Sequence, residues 1–448
     1  MNRNCNIKKC FAFLIFYVLI FIIVIDFSSC SSTKQIEKAA IEDVLSDSAL
    51  QSAHIGISVF DATANKYLYN YQGDKYFIPA SNTKIITCYA AMKYLGDSLV
   101  GAKIFNDDGN IYLIPTADPT FLHPDFPNQK LYDYLKSLKK NSIILLDDCW
   151  NENPLGAGWS WDDFSEDYMA ERSAFPVCGN VFRIFGKQDD VHIQPNLQGT
   201  HLYNKADNYL SKAVRAKDNN NFFFEFNGKR KDTFTVPFVT FNGESNKKIL
   251  KDTFKIQVFS EEDFVPFDEN NKRIITIHSQ PTDSLLKIMM HRSDNFYAEQ
   301  SLLMVSNQML GTMNDEKIID TILKKDFKNI PQKPQWVDGS GLSRYNLFTP
   351  QDFIFILNKM KNDFSWSRIT TIFPTGGTGT LNNRFKNLQG KVFAKTGSLS
   401  NNNSLSGYII TNKNKVLIFS ILVGNHMSSG SNLRNAMDKF INFLASNY

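Results

Sequence analysis

The chain is poor in the features that assign a class at once. Of 448 residues only six are cysteine and seven histidine. Cys5, Cys10 and Cys30 fall within the first thirty positions, so Cys88, Cys149 and Cys178 alone remain for the body, too few for a disulfide-stapled scaffold. The histidines are dispersed, and neither a cysteine cluster nor a His-Glu-x-x-His spacing occurs, so no metal or other cofactor is expected. No sign of charge dominates: 49 Lys and Arg face 45 Asp and Glu, scattered rather than striped, which argues against a nucleic-acid partner. Internal repeats and low-complexity tracts are absent. With 43% hydrophobic and 21% charged residues, what remains is ordinary globular material, long enough for two or three domains.

One long apolar run does occur, at the very start. Arg3, Lys8 and Lys9 precede an unbroken stretch from Phe11 to Ile25, followed by small residues up to Cys30. That order is an export signal. The run falls short of the roughly 17 to 25 residues that a spanning helix needs. Phe27-Ser28-Ser29-Cys30-Ser31-Ser32 resembles a bacterial lipoprotein cleavage box, in which Cys30 is lipidated and becomes the mature N-terminus. The expectation is an exported, periplasmic protein held to a membrane by that lipid, with residues 1–30 as the leader; a plain secreted or uncleaved form is the alternative. Export also permits a disulfide, and Cys149 with Cys178 is the one pair outside the helix discussed next, but spacing does not choose between a bridge and two buried thiols.

Both ends of the body pattern alike. IEKAAIEDVLSDSAL has helical spacing, and HIGISVF and KYLYNYQ read as a strand pair around the turn-rich DATANK. SNTKIITCYAAMKYL reads as a helix that Ser81 opens. At the far end VFAKTGSLS, LSGYIIT and KVLIFSILVG read as strands and NLRNAMDKFINFLA as a helix. The order predicts one antiparallel sheet assembled from both chain ends, with the terminal helices on one face: an α+β fold, an α/β sandwich of two layers. Residues 31–99 and 279–448 would form this unit. Residues 100–278, with aromatic-rich turns and strand-like runs such as DTFTVPFVTF and DTFKIQVF, would be a large, mostly β insertion.

Three short motifs suggest chemistry. Ser81 and Lys84 lie three positions apart, on one face of the helix, at an end rich in free backbone N–H groups. Ser-x-x-Lys alone is weak: Ser137 to Lys140, Ser245 to Lys248 and Ser284 to Lys287 repeat it, and serine is a common helix N-cap. A serine hydroxyl needs a base, and with no histidine nearby in sequence Lys84 is the local choice, provided burial or neighbouring cations lower its pKa. Ser293-Asp294-Asn295 precedes another helical stretch, and Lys395-Thr396-Gly397-Ser398 sits on a strand. The ordered trio Ser-x-x-Lys, Ser-x-Asn, Lys-Thr-Gly is far more specific than any one of them.

On these motifs, and on DGSGLSRYNLFTP (338–350), PTGGTGTLNNRF (374–385) and GWSWDD (158–163), the chain resembles the penicillin-binding D-alanyl-D-alanine carboxypeptidases and endopeptidases of the S13 peptidase type. Lys84 and Ser293 lie 209 positions apart, an interval far longer than in class A β-lactamases and matched by the large insertion of the S13 type. The resemblance implies a penicillin-binding transpeptidase and β-lactamase-like domain that cleaves D-Ala-D-Ala type bonds of peptidoglycan stem peptides, with β-lactam antibiotics as inhibitors. Ser81 would be the acylated nucleophile, Lys84 its base and Ser293 the proton relay to the leaving amine. Asn295 would hold the substrate amide, and Lys395 would add positive charge. The hydroxyls of Thr396 and Ser398 would grip the terminal carboxylate, with the N–H groups of Ser81 and Ser398 as oxyanion hole. Gly397 would leave the strand edge clear for the substrate backbone. Trp159, Asp162 and Arg344 match positions lining a pocket for a zwitterionic diamino-acid side chain, such as that of meso-diaminopimelate; exposed surface charge is the other reading. The remaining functional alternatives are a β-lactamase-like hydrolase and a non-catalytic, cell-wall-binding lipoprotein.

Overall fold

The computed structural model describes residues 33–107, 109–138, 140–187, 190–197, 199–204, 213–224, 232–260 and 273–448. The expected leader, with the expected lipidation site Cys30, lies outside them. Among the described residues no helix is long and apolar enough to cross a membrane.

The chain opens with helix α1 (residues 33–45), strands β1 (His54–Asp61) and β2 (Lys66–Tyr71) and helix α2 (Lys84–Tyr94). Strands β3 (Ser98–Asp107) and β4 (Asn110–Pro115), helix α3 (Lys130–Ser137) and strand β5 (Ser142–Leu145) follow. After a long irregular stretch come β6 (Val181–Lys187), β7 (Asp190–Gln194), β8 (His201–Asn204), β9 (Val214–Arg215), β10 (Asn221–Phe224) and β11 (Asp232–Pro237). Helix α4 (Glu244–Phe254), β12 (Gln257–Ser260) and β13 (Ile275–Pro281) complete this middle part. The rest is mainly helical: α5 (Thr282–Ile288), α6 (Asn295–Leu310), α7 (Asp315–Lys325), α8 (Pro350–Asp363) and α9 (Trp366–Ile372). The chain ends in β14 (Val392–Leu399), β15 (Asn402–Ile410), β16 (Val416–Gly424) and α10 (Gly430–Asn447).

The expected sheet from both chain ends is present, ordered β14-β15-β16-β1-β2 and antiparallel throughout, with β1 paired to β16 from His54↔Gly424 to Asp61↔Leu417. Its layering differs from the expectation. Leu417, Phe419, Ile421 and Val423 of β16 pack under α1 and α10, as foreseen for the terminal helices. Ile418 and Leu422, on the opposite pleat, pack against α2, α6 and α8. Both faces are covered, giving three layers rather than two. The reason is visible in VLIFSILVG: a strand with one wet face alternates, and this one is an almost continuous apolar run.

The middle part leaves and rejoins this body side by side, because β3 and β13 pair antiparallel from Ile104↔Ile275 to Ser98↔Pro281. They belong to a five-stranded sheet, β12-β5-β4-β3-β13, beside two three-stranded sheets, and share a separate core around Leu113, Leu131, Phe182, Phe222 and Ile249. The predominance of strands is as expected. One segment is not: DTFKIQVF, read as a strand, is divided between the end of α4 and β12. Helix α4 is so polar that only Ile249 and Leu250 mark its buried apolar side. Cys88, Cys149 and Cys178 are free thiols, so no bridge joins the last two.

Candidate active site

Helices α2 and α6 position the site, and both are buried nearly all round. Every residue of α2 from Lys84 to Met92 is buried, as is α6 from Phe296 to Ser306. A helix enclosed on all sides should carry no charge without a reason. Lys84, at the start of α2, is 0% exposed. Ser81 lies one turn earlier, in a 3-10 turn (Ala80–Thr83) that feeds α2, and it caps neither element.

Instead, Lys84 Nζ donates to Ser81 Oγ at 3.0 Å, to Asn295 Oδ1 at 2.7 Å and to the Ser340 carbonyl at 2.7 Å. Three acceptors use all three protons of the ammonium. Lys395 Nζ, equally buried, donates to Ser293 Oγ at 2.8 Å and to its neighbour's carbonyl at Thr396 at 2.7 Å. Asn295 completes its carboxamide by donating from Nδ2 to the Tyr168 carbonyl at 3.2 Å. The three motifs thus form one cluster. Burial pushes the Lys84 pKa down to about 8, against the pull of Asp338, Glu299 and Asp294. Burial drives Lys395 well below its ordinary value, with the Lys84 charge adding to the shift. Both shifts follow from desolvation, the environment that a lysine base requires.

The backbone around Ser81 is held under constraint. Ala80, just before Ser81, has φ 49°, and Ser293 has φ 61°, both in the left-handed region that costs a non-glycine residue energy. Ser404 Oγ donates to the Pro79 carbonyl at 2.7 Å and Asn82 Nδ2 to Ser406 Oγ at 2.8 Å, pinning the Ser81 turn to β15. This closeness supplies a reason for Gly397 other than the expected clear strand edge. A Cβ there would collide with Ser404 Oγ and lie 2.7 Å from the Pro79 carbonyl and 3.0 Å from Ser81 N. Gly397 lets β14 touch the turn that carries Ser81. Gly341, at φ 82°, is likewise pressed against the Ala80 carbonyl.

A cleft of about 520 Å³ opens on Ser81 and is lined by Asp162, Asp163, Tyr168, Asn295, Arg344 and Ser398 among others. Asp162 and Arg344 therefore face it, and Arg344 Nη1 also reaches the Ser400 carbonyl at 3.4 Å. Trp159 does not line it: its indole N–H donates to Asp338 Oδ2 at 3.0 Å and its ring lies over Arg172. Thr396 lines an adjoining cleft with Arg434, and Ser398 reaches both.

Several participants carry no motif. Glu299 on α6, 1% exposed, accepts the Ser340 N–H at 2.7 Å and so stands directly behind the carbonyl that holds Lys84. Arg172 ties Glu299 (3.4 Å) to Asp315 (2.6 Å) and Glu152 (3.1 Å). Burial raises the Glu299 and Glu152 carboxyls, with Arg172 opposing. Asp338 accepts from Gly341 N, Ser343 N and Asn346 Nδ2, shaping the loop that carries Ser340. Asp338 and Ser340 lie within DGSGLSRYNLFTP; Glu299, Arg172 and Tyr168 gave no sequence signal.

Comparison with known proteins agrees with this geometry. The profile of the D-Ala-D-Ala carboxypeptidase 3 (S13) family matches residues 37–445. A D-alanyl-D-alanine carboxypeptidase DacB of Haemophilus influenzae is 24% identical over 430 residues, covering 82% of this chain and 85% of its own. A D-alanyl-D-alanine carboxypeptidase of Actinomadura sp. strain R39 is 23% identical, covering 86% and 80%. Among solved structures, penicillin binding protein 4 (dacB) of H. influenzae superposes with a TM-score of 0.73 at 20% identity, over 92% of this chain and 99% of that one. With its sheet, its three motifs and nearly its whole length accounted for, the chain belongs to the D-Ala-D-Ala carboxypeptidase 3 (S13) family.

Proposed function

We propose that this chain performs the reaction of its family, serine D,D-peptidase cleavage of D-Ala-D-Ala type bonds in peptidoglycan, through an acyl-enzyme on Ser81, and that penicillin acylates the same residue. The observation that carries the assignment is the fully buried Lys84 ammonium bonded to Ser81 Oγ at 3.0 Å. Burial lowers the Lys84 pKa to about 8, so a fraction of the amine is neutral near pH 7 and can take the serine proton. Ser81 Oγ attacks the carbonyl carbon of the penultimate D-alanine, and the N–H groups of Ser81 and Ser398 receive the oxyanion. The C–N bond breaks as the proton that Lys84 took passes through Ser293, which Lys395 holds at 2.8 Å, to the leaving nitrogen, and Lys84 returns to the neutral amine. Water then hydrolyses the ester, with Lys84 again as base.

Asn295 would orient the substrate amide, and Ser398, with Thr396 from the adjoining cleft, would receive the terminal carboxylate. Asp162 and Arg344 would take the ammonium and carboxylate of a diamino-acid side chain; Trp159 would act only by bracing Asp338. An H. influenzae relative has been solved with a β-lactam bound, which supports the penicillin reading. Cell-wall relatives support action outside the cytoplasm, and a lipid on Cys30 would keep the enzyme at a membrane.

The test is labelling by a fluorescent penicillin together with D-alanine release from peptidoglycan monomers. Wild type should form a stable adduct and release D-alanine, and Ser81→Ala should do neither. Persistent labelling of Ser81→Ala would relocate the nucleophile, and rapid penicillin turnover would favour a β-lactamase-like hydrolase.

A further inference from the structure

Behind Ser398 runs a short chain of hydrogen bonds that the proposed reaction does not use. Ser398 Oγ donates to Asn403 Oδ1 at 3.0 Å, Asn403 Nδ2 meets His426 Nε2 at 2.8 Å, and His426 Nδ1 lies 3.1 Å from the Ser428 carbonyl. Asn403 and His426 are both buried. Asn403 stands directly opposite Ser398 in the ladder between β14 and β15, and the two line the adjoining cleft with Thr396. His426, just past β16, is fixed by Asn401, whose carbonyl takes its N–H at 3.2 Å and whose Nδ2 donates to its carbonyl at 3.0 Å.

The far end of this chain dictates every proton in it. A backbone carbonyl can only accept, so the proton of His426 sits on Nδ1. In a neutral ring Nε2 is then bare and must accept, which turns the Asn403 NH2 towards it and leaves the carboxamide oxygen facing Ser398. Ser398 answers by donating. Its one proton is thereby spent inside the protein, and the hydroxyl offers the cleft only lone pairs, which a carboxylate cannot use. Protonating His426 reverses the chain. Nε2 becomes a donor, Asn403 turns its carboxamide over in the same space to present Oδ1, and Nδ2 donates to Ser398 Oγ. The Ser398 proton is then released towards the cleft.

Resting on the D,D-peptidase reading, we propose that His426 is a positioning residue for Ser398: through Asn403 it sets the direction of the Ser398 hydroxyl, and it takes up a proton from water when a carboxylate binds there. Anion binding and protonation support each other, so carboxylate affinity rises as pH falls. A carboxamide terminus fits the opposite state, because its NH2 can donate to a Ser398 that accepts. The charged side chains on the surrounding elements are engaged elsewhere or stand off. Asp47 takes the Ala49 N–H beside Ser428, Arg384 is paired with Asp438, Arg344 reaches the Ser400 carbonyl, and Lys395 bonds Ser293 from the opposite pleat of β14. Arg434 lines the adjoining cleft. Among the described residues none of these forms an ion pair or hydrogen bond with His426 or Asn403.

The experiment uses the full chain carrying Ser81→Ala, which stops acylation. Calorimetry measures binding of a stem peptide ending in D-Ala-D-Ala, and of the same peptide ending in a carboxamide, between pH 5 and 8, where histidine changes charge. Buffers of different ionisation enthalpy count the protons taken up. Lys84 and Lys395 are present throughout, so a second substitution, His426→Gln, isolates the histidine: glutamine keeps a donor and an acceptor but cannot be protonated. From pH 8 to pH 5 carboxylate affinity should rise about tenfold more with His426 than with glutamine, the worth of one hydrogen bond to a charged group, and with matching extra proton uptake. Ser398→Ala should abolish the same difference, and the carboxamide peptide should show none. Penicillin acylation of His426→Gln with Ser81 intact reports that the site has formed; if it has not, Ser398→Ala carries the test. Equal pH profiles and proton counts with and without the imidazole or the Ser398 hydroxyl, or the same rise for the carboxamide peptide, overturn the proposal. A wild type that takes no penicillin and cleaves no stem peptide overturns the D,D-peptidase reading itself.

Discussion

Replacing Glu299 by glutamine tests whether Lys84 acts as a base tuned by charges behind it. Glutamine keeps an oxygen for the Ser340 N–H, so the carbonyl holding Lys84 should stay in place while one negative charge disappears. Counting through that single residue, the Glu299 carboxylate and Lys84 ammonium lie about 7 Å apart. At an effective dielectric constant of about 20 the attraction is about 2.4 kcal/mol, or roughly 1.7 pKa units. Two features reduce this. Arg172 at 3.4 Å offsets part of the charge, and burial keeps some of the carboxyl protonated near neutrality. A shift of about one unit is expected. Removing an anion disfavours the ammonium, so the Lys84 pKa falls from about 8. Asp338 and Asp294 remain as anions facing it, and Lys395 as the neighbouring lysine. If the neutral amine is the base, the acylation rate of wild type rises with pH through that value, and the rising limb of Glu299→Gln lies about one unit lower. Stopped-flow acylation by a fluorescent penicillin between pH 5 and 9 reads the limb directly. A limb that stays put or moves to higher pH would refute the reasoning. Glu299→Ala is the contrast: it strands the buried Ser340 N–H, at about 1–3 kcal/mol, and should slow acylation at every pH.

Gly341→Ala adds a Cβ where the Ala80 carbonyl already sits, at φ 82°, and must displace the turn carrying Ser81; acylation should drop by about 10²-fold, with KM for the stem peptide changing far less. Arg172→Met removes the cation shared by Glu152, Glu299 and Asp315 and should cost about 3–5 kcal/mol in denaturant unfolding. Since burial raises the Glu152 and Glu299 carboxyls, the penalty should shrink as pH falls and they take up protons. A penalty independent of pH would mean that Arg172 acts by packing against Trp159 instead.

What sequence could reveal here was whatever is encoded locally. Strands β1, β2, β14 and β16 and helix α10 announce themselves by short strand-like or helical apolar runs, and Ser81 with Lys84 by a spacing of three. The third layer was missed because a continuous apolar strand was treated as one-sided, and α4 because Ile249 and Leu250 are nearly its whole apolar content. The resemblance assigns Trp159 to the pocket with Asp162, three positions on, yet its indole turns out of the cleft and onto Asp338. Glu299 and Arg172 are beyond such reading. The Glu299 partner Arg172 lies 127 positions away, and a carboxylate in LLMV-type helical surroundings means nothing until the fold shows that it stands behind Lys84.

The charge state of the cluster explains why one site can serve both peptide and penicillin. Lys84 and Lys395 are each wholly buried, and among the described residues both ammonium groups donate to hydroxyl, carboxamide and carbonyl oxygens rather than to a carboxylate. A buried ammonium left without a counter-ion is costly, which is why burial drives both pKa values down. Glu299, Asp338 and Asp294 pull against the burial of Lys84, whereas the charge of Lys84 itself adds to the depression that burial imposes on Lys395. On the substrate side, then, Lys395 is short of an anion. On the proposed reading a D-alanine terminus would bring a carboxylate towards that place, and so would a penicillin. In the proposed reaction each would supply a counter-charge next to Ser293 and stabilise the protonated Lys395 that holds this relay.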